Sequence, residues 1–322
     1  MDELLAGLRA AAEPTRLRLL VLCAEGELTV GELTEILGQS QPRVSRHLKL
    51  LCEAGLLDRF REGSRVFYRL AGEGALAPRL LELLPPADPV LALDRERLAQ
   101  IKHQRAEQAA AYFRANAAHW DRIRSLYVDE KEVEAALLKL LPPAGLGDLL
   151  DVGTGTGRML EIFGPRIART VGVDLSREML AVARVNLERA GLRNCTLRQA
   201  DMYQLPLAGR AFDAVVIHQV LHYAERPGQV VAEAARVLRP GGTLVIVDFA
   251  PHELEFLRNE HAHLRLGFAD AEITQWCRAA GLEPLPVRHL PGDPLTVSLW
   301  PAERRAESEG HATLRREAAV TP

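Results

Sequence analysis

The most constraining stretch of the chain is Asp151 to Arg158, DVGTGTGR, which follows an apolar run from Leu146 to Val152 and precedes a short helical pattern from Met159 to Phe163. A strand that ends in a glycine-rich turn and opens a helix is where an α/β sheet receives a nucleotide. Glycine lets the backbone take positive φ and lets a ligand lie against it with no Cβ in the way. From Leu149 onward apolar strands and amphipathic helices alternate, which predicts a parallel sheet with crossover helices. Strands are expected at Leu149–Val152, Thr170–Val173, Thr196–Gln199, Ala214–Ile217, Thr243–Asp248, Glu283–Arg288 and Leu295–Leu299. The short connection between the last two makes them antiparallel neighbours, so the expected Rossmann-like sheet is seven-stranded with its last strand antiparallel.

Two further polar positions align with strand ends. Asp174 closes one strand 21 residues after Gly153, where a carboxylate can accept the hydrogen bonds of a ribose diol. Asp201-Met202 follows the next strand, where a carboxylate can take an adenine amino group and a methionine can cover its ring. A dinucleotide fingerprint would carry Gly or Ala at position 158, but Arg158 stands there and blocks close helix–strand packing. An acid before the turn, Asp151, would repel a pyrophosphate, which points to an adenosyl ligand with an amino-acid tail. No Walker-type sequence is present, which excludes a P-loop.

Taken together, Asp151 to Gly157, Val173-Asp174, Ala200-Asp201-Met202, Phe212-Asp213 and Leu238 to Gly242 (LRPGG) resemble the class I S-adenosylmethionine-dependent methyltransferases over about residues 145–250. The resemblance implies S-adenosylmethionine (or S-adenosylhomocysteine) held by Gly153, Gly155 and Gly157 at its methionine part, by Asp174 at the ribose and by Asp201 with Met202 at the adenine. It also implies that His218, ending the fourth strand, lies near the methyl donor. Methyl transfer needs in-line approach and desolvation more than a base. Candidate catalytic groups are His218, His222, Tyr223 and His261, the last within a Glu260, His261, His263 cluster. Residues i and i+2 point to different helix faces, so that cluster is expected to hold no metal.

The first eighty-odd residues carry a different pattern. Thr29 with Glu32 forms a capping box at the start of a short helix that ends near Leu37. After the turn at Gly38, a further helix runs from Gln41 to Leu51 with Val44, Leu48 and Leu51 on one stripe. Gln41, Arg43, Ser45, Arg46 and Lys49 remain on its open side. Two short helices about a glycine turn, the second basic, make a helix-turn-helix. Leu57 to Leu70 alternates and turns at Glu62-Gly63-Ser64, which predicts a β-hairpin whose Arg59, Arg61, Arg65 and Arg69 can reach phosphates. Between Gln41 and Leu70 seven Lys/Arg face three acids, a local basic patch on a chain of net charge −3.

EPTRLRLL (from Glu13), SQPRVSRHL (from Ser40), EAGL (from Glu53) and REGSR (from Arg61) resemble the winged-helix repressors of the ArsR/SmtB type from about residue 5 to 84. The resemblance implies a homodimer on palindromic operator DNA, with the Gln41–Lys49 helix, His47 included, in the major groove and the hairpin as wing. The metal-sensing members carry two cysteines where this chain has Thr29 and Gly31, which cannot supply thiolates. The segment from Leu70 to Leu84 has no histidine or cysteine for the alternative interface site. Metal sensing through these sites is therefore not expected, and the signal must enter elsewhere.

The expected organisation is a winged helix-turn-helix domain at 1–84, a helical connector and lid at 85–144, a methyltransferase-like domain at 145–302 and a disordered tail at 303–322. The boundary follows from LPPADP at Leu84 to Pro89, and Asp94 is a plausible cap or first-turn charge of the long helix beyond it. Tyr112, Phe113, His119 and Trp120 suggest core packing or a lid over the glycine turn. Four scattered cysteines without CxxC spacing fit reduced thiols. An acidic N-terminus without an apolar core, and no bilayer-length apolar run, lead us to expect a cytoplasmic protein with no membrane partner. The leading expectation is a DNA-binding regulator that takes S-adenosylmethionine or its demethylated product as signal. The alternative is an active methyltransferase of a small-molecule acceptor with an autoregulatory DNA-binding domain.

Overall fold

The computed structural model describes residues 1–62, 65–71, 76–85, 87–116 and 129–306, without the side chains at 62, 105, 106, 108–110 and 112–114. The aromatic cluster around His119 and Trp120, the side chains of Tyr112 and Phe113, and the tail from 307 onward lie outside the described residues. The chain forms two compact units, residues 1–112 with 253–266, and residues 113–252 with 267–322.

In the first unit α1 (Asp2–Ala11) and α2 (Pro14–Ala24) lead into the short strand β1 (Leu28–Thr29), then α3 (Val30–Leu37) and α4 (Gln41–Glu53). Pro14 occupies the first turn of α2, where its missing N–H costs nothing, and the Glu13 side chain caps that helix by accepting from the Arg16 N–H. The capping box at α3 forms as expected: Thr29 N–H donates to Glu32 Oε2 at 2.9 Å, and Glu32 N–H donates to Thr29 Oγ1. Gly38 ends α3 in the left-handed region with φ 62°. Strands β2 (Leu57–Glu62) and β3 (Arg65–Leu70) pair antiparallel as the hairpin, and β1 joins β3 to give a three-stranded sheet of order β1-β3-β2. The α4 stripe, Val44, Leu48 and Leu51, is fully buried against Leu19, Leu20 and Leu22 of α2 and Leu33 and Ile36 of α3. Each such side chain contributes about 1.5–3 kcal/mol.

This unit runs past the proline break near residue 84. The long helix α6 (Pro89–Asn116), which follows α5 (Leu76–Glu82), sends Leu98 and Ile101 into the same core. Asp94 is not the cap of α6: Asp88 caps it by accepting the Val90 and Leu91 N–H groups. Asp94 instead is buried and takes both Arg18 donors, at 2.6 and 2.7 Å. A buried carboxylate needs such a partner to offset its desolvation, and the bidentate geometry supplies it.

The second unit begins with α7 (Glu130–Leu140), capped by Asp129, whose side chain accepts the Lys131 N–H. Its mixed sheet contains β4 (Asp148–Val152), β5 (Arg169–Asp174), β6 (Cys195–Gln199), β7 (Phe212–His218), β8 (Leu238–Phe249), β9 (Leu282–Pro284), β10 (Arg288–Leu290) and β11 (Val297–Arg304). The order is β10-β11-β8-β7-β4-β5-β6, with β9 also on β11. Strands β4 to β8 are parallel, and β11 is antiparallel to β8. The sheet has eight strands among the described residues because the expected sixth strand breaks into β9 and β10, which pair with different stretches of β11. Glu303 and Arg304, expected in the tail, complete β11, and Arg304 donates to the Ala235 and Leu238 carbonyls. No described helix is long and apolar enough to cross a membrane.

The amino ends of the central strands are tied by charge. Arg239 donates to Asp213 at 2.6 Å and to Asp148 at 2.7 Å, while Asp213 accepts the Gly147 and Asp148 N–H groups. Burial pushes Asp148 and Asp213 up, but the Arg239 hydrogen bonds with their further donors outweigh it and hold both carboxyls below their usual range. Groups depressed in the fold contribute stability above the unfolded carboxylate pKa of about 3.9 and lose it as pH falls through the folded value. We predict that Arg239→Met moves the acid unfolding midpoint, read by circular dichroism, to higher pH. An unchanged midpoint would show that the ionic tie contributes nothing.

Candidate functional site

Strand β4 lies between β5 and β7, so the order reverses there and its carboxyl end faces a crevice. The glycine turn occupies that end. Gly153, Gly155 and Gly157 have φ of 73°, 53° and 86°, a left-handed succession that side chains with a Cβ resist. The Gly153 and Thr154 N–H groups donate to the Val173 carbonyl at 2.8 and 2.9 Å, which clamps the turn to β5. A Cβ on Gly153 would come within 2.5 Å of Val220, so the turn is also closed against the segment after β7. Asp151, 1% exposed, sits beneath it.

Asp174, at the end of β5, accepts the Gly155 N–H through Oδ2 and the Ser176 N–H through Oδ1, both at 2.8 Å. Burial raises its pKa, against the pull of these backbone donors. The carboxylate is thereby fixed beside the turn. Asp201 is exposed and accepts the Tyr203 N–H at 2.9 Å; Met202 is half-buried and packs on the central core. His218 ends β7, and the next residue, Gln219, is forced to φ 50° while its N–H donates to Val247. A non-glycine residue in that region is uncommon, and here it turns the chain so that Val220 meets Gly153.

The neighbouring histidine is part of a buried pair. His222 Nδ1 lies 2.7 Å from Asp248 Oδ1, with side-chain exposures of 3% and 0%. The His222 N–H donates to the other Asp248 oxygen, and its ring is 4.2 Å from that of Tyr223 and 5.5 Å from that of Phe249. Asp248 escaped the sequence reading, although an acid inside the apolar run LVIVDF is a signal that a partner is buried with it. The remaining catalytic candidate, His261, belongs to the 253–266 segment of the first unit, where its ring is 6.0 Å from Phe256 and burial lowers its pKa. The structure therefore places His218 at the end of β7 and His222 and Tyr223 in the turn that follows it, and assigns His261 to the first unit.

Arg158, read from the sequence only as an obstacle to a dinucleotide, has a specific task. Its Nε and Nη2 bind both Glu134 oxygens at 2.7 and 2.9 Å, and its Nη1 binds Glu161. The helix α8 (Arg158–Phe163) that follows the turn is thus fastened to α7.

In the first unit Gln41, Arg43, Ser45, Arg46 and Lys49 are exposed on α4, and Arg61 and Arg65 are exposed on the hairpin. His47 is not on that face: it is half-buried, with Nδ1 3.6 Å from Glu13. Arg69 also departs from the expected phosphate-reaching row, since it lies 5.1 Å over the Phe60 ring and pairs with Glu27 and Asp58.

Residues 13–59 match the bacterial regulatory protein, arsR family, and residues 150–246 match the methyltransferase domain family. The chain is 44% identical over 103 residues, 32% of its own length and 50% of the relative's, to phosphatidylethanolamine N-methyltransferase of Cereibacter sphaeroides. It is 30% identical over 163 residues, 46% of its own length and 69% of the relative's, to ubiquinone biosynthesis O-methyltransferase of Aromatoleum aromaticum. The chain spans about half the length of the first of these relatives. Among solved structures, the N-methyltransferase NodS of Bradyrhizobium japonicum in complex with S-adenosyl-L-homocysteine shares the fold, with a TM-score of 0.51 at 21% identity over 61% of this chain and 98% of that one. The chain belongs to the methyltransferases through its second unit, and its first unit carries the arsR-family match at residues 13–59.

Replacing Gly153 by Ala tests the cradle. The positive φ alone costs about 1–3 kcal/mol, and the added methyl also meets Val220. Gly153→Ala is expected to lower the melting temperature of the second unit, whereas Gly55→Ala, with open space around its Cβ, pays only the backbone term.

Proposed function

We propose that this chain is a DNA-binding transcriptional regulator whose methyltransferase-like unit takes S-adenosylmethionine or S-adenosylhomocysteine as its signal. The observation that carries the reading is the exposed polar and basic face of α4, with Arg61 and Arg65 on the hairpin beside it, in a chain whose metal-sensing positions are Thr29 and Gly31. Thr29 is committed to its capping box and Gly31 has no ligating atom, so the signal is read at the glycine turn. The adenosyl ligand is supported by residues that suit it part by part. The glycines leave a backbone cradle for the amino-acid end, the fixed Asp174 carboxylate suits a ribose diol, and exposed Asp201 with Met202 suits an adenine. Asp151 and His218 complete the set of binding residues in this reading.

The two ligands differ by a methyl group and a positive charge. A near-complete switch between them requires a preference of about 5.5 kcal/mol between the DNA-competent and incompetent states. Genes of the methionine and adenosylmethionine cycle are natural targets for such a sensor. A homodimer on a palindromic operator accords with the apolar row Leu4, Leu5 and Leu8, exposed on α1. Sedimentation analysis tests it.

Active methyl transfer to a small molecule is the second reading, favoured by the buried His222–Asp248 pair and by the activities named for the relatives. In it, His218, His222 and Tyr223 orient the acceptor, and the ligand supplies an electrophilic methyl group. Release of labelled methyl from S-adenosylmethionine into a metabolite extract distinguishes this reading.

Gel-shift titration on a duplex selected from random-sequence DNA is expected to give different affinities with S-adenosylmethionine, with S-adenosylhomocysteine and with neither. Identical shifts in all three would overturn the sensor. Asp174→Asn is expected to weaken ligand binding by about 10- to 100-fold, the loss of a charge-assisted hydrogen bond, as measured by calorimetry. Arg46→Ala should weaken DNA binding and, if Arg46 contacts phosphate, reduce the slope of log affinity against log salt by about 1.

A further inference from the structure

The chain leaves the second unit after His252 and returns to it at Gly267, and the 14 residues between, 253–266, are packed into the first unit. Both ends of this excursion are held at the carboxyl end of β8. The Phe268 N–H donates to the Phe249 carbonyl, and the Ala250 N–H donates to the Thr296 carbonyl, each at 2.9 Å. Gly267, with φ 86°, closes the neck so tightly that a Cβ would lie 2.1 Å from the Ala250 oxygen. The body of the excursion holds its own shape: a short helix (Phe256–His261) ends at Ala262 in the left-handed region, Arg258 Nη1 donates to the Leu264 carbonyl at 2.6 Å, and the His263 N–H donates to that of Leu257.

Within the first unit, two arginines of this segment are spent on the hairpin. Arg258, 8% exposed, lies 5.5 Å over the Phe67 ring, and Arg265, 6% exposed, lies 5.4 Å over the Phe60 ring. The two rings are stacked at 5.6 Å across β2 and β3. Arg265 also reaches Glu27 at 3.1 Å, the same carboxylate that binds Arg69 of the hairpin. Desolvated cation–π contacts of this kind are worth far more than surface pairs, so the hairpin's position is linked to that of the excursion.

The neck of the excursion lies within one contiguous set of contacts from the glycine turn. Val220 abuts Gly153; two residues on, His222 is hydrogen-bonded to Asp248 and its ring meets that of Phe249, whose carbonyl forms the neck.

We infer that residues 253–266 are the element through which occupancy of the glycine turn is transmitted to the DNA-contacting hairpin, with the Arg265–Phe60–Glu27 and Arg258–Phe67 contacts as its output. The inference rests on the proposed sensor reading and names how that site is coupled to DNA. Ligand at the turn biases the Val220–His222–Asp248 segment on which the neck is built, and the excursion bounded by that neck carries the two arginines that hold the hairpin. A coupling of this type is a free energy shared between two sites, so it is tested by removing the link and leaving both sites intact.

The experiment uses the full chain and the selected duplex, with affinity measured with and without S-adenosylhomocysteine, and separately with S-adenosylmethionine. In the unaltered chain one ligand should change duplex affinity by about tenfold, in the usual range of allosteric coupling. Arg265→Met and Phe60→Leu should each keep ligand affinity and ligand-free duplex affinity while losing most of that change. The double variant should lose no more than either single one, because the two residues form one contact. Phe60 is half-buried, so Phe60→Leu probes the contact should Arg265→Met melt early. Singles that bind ligand normally and keep the tenfold change would overturn the inference and leave the sensor standing. An unaltered chain with no ligand dependence would overturn the sensor, and the coupling with it.

Discussion

Strand β4 lies between two strands that the chain reaches in opposite directions, and this reversal leaves a crevice at its carboxyl end. The crevice becomes a site because backbone groups are tied on both sides of it. The turn is clamped to β5 through the Val173 carbonyl and the Asp174 carboxylate, and it is pressed against Val220 beyond β7. At the other end of the same strands, Arg239 with Asp148 and Asp213 holds the amino termini in register. With one end stapled by charge and the other by glycine geometry, the positions of Asp151, Asp174 and His218 follow from the sheet.

The first unit depends on local agreement between helix signals and burial. The capping box at Thr29, the left-handed Gly38 and the α4 stripe all favour one arrangement, and it leaves a polar face outward. Thr29 serves this arrangement directly, as the residue whose side chain starts α3. A thiol at 29 would remove the oxygen that accepts the Glu32 N–H, and with it one half of the capping box.

Much of this was legible without coordinates because it is carried by residues close in sequence. Glycine turns, caps and stripes repeat over fewer than a dozen residues, and their physics is that of the local backbone. The parallel strands of the sheet, the hairpin and the winged helix-turn-helix pattern were read on that basis. The partners of His47 and Arg69 were not legible, because composition marks a residue as basic but not which neighbour holds it. Glu13 takes His47, and Phe60 with Glu27 takes Arg69. The extra edge strand was missed because edge pairing is decided by how long a partner β11 offers, which lies at the far end of the chain.

The sequence alone determined a capped helix-turn-helix and a glycine turn that closes a parallel strand, since both rest on short-range steric and hydrogen-bonding rules. The tertiary structure alone decided which charges meet: Asp94 with Arg18, Glu134 with Arg158, Asp248 with His222, and the hairpin with the arginines of 253–266. These partners are separated by 24 to 205 positions, as Glu134 to Arg158 and Phe60 to Arg265 show. Burial makes each pairing obligatory once the fold forms, but nothing in local propensity names the partner.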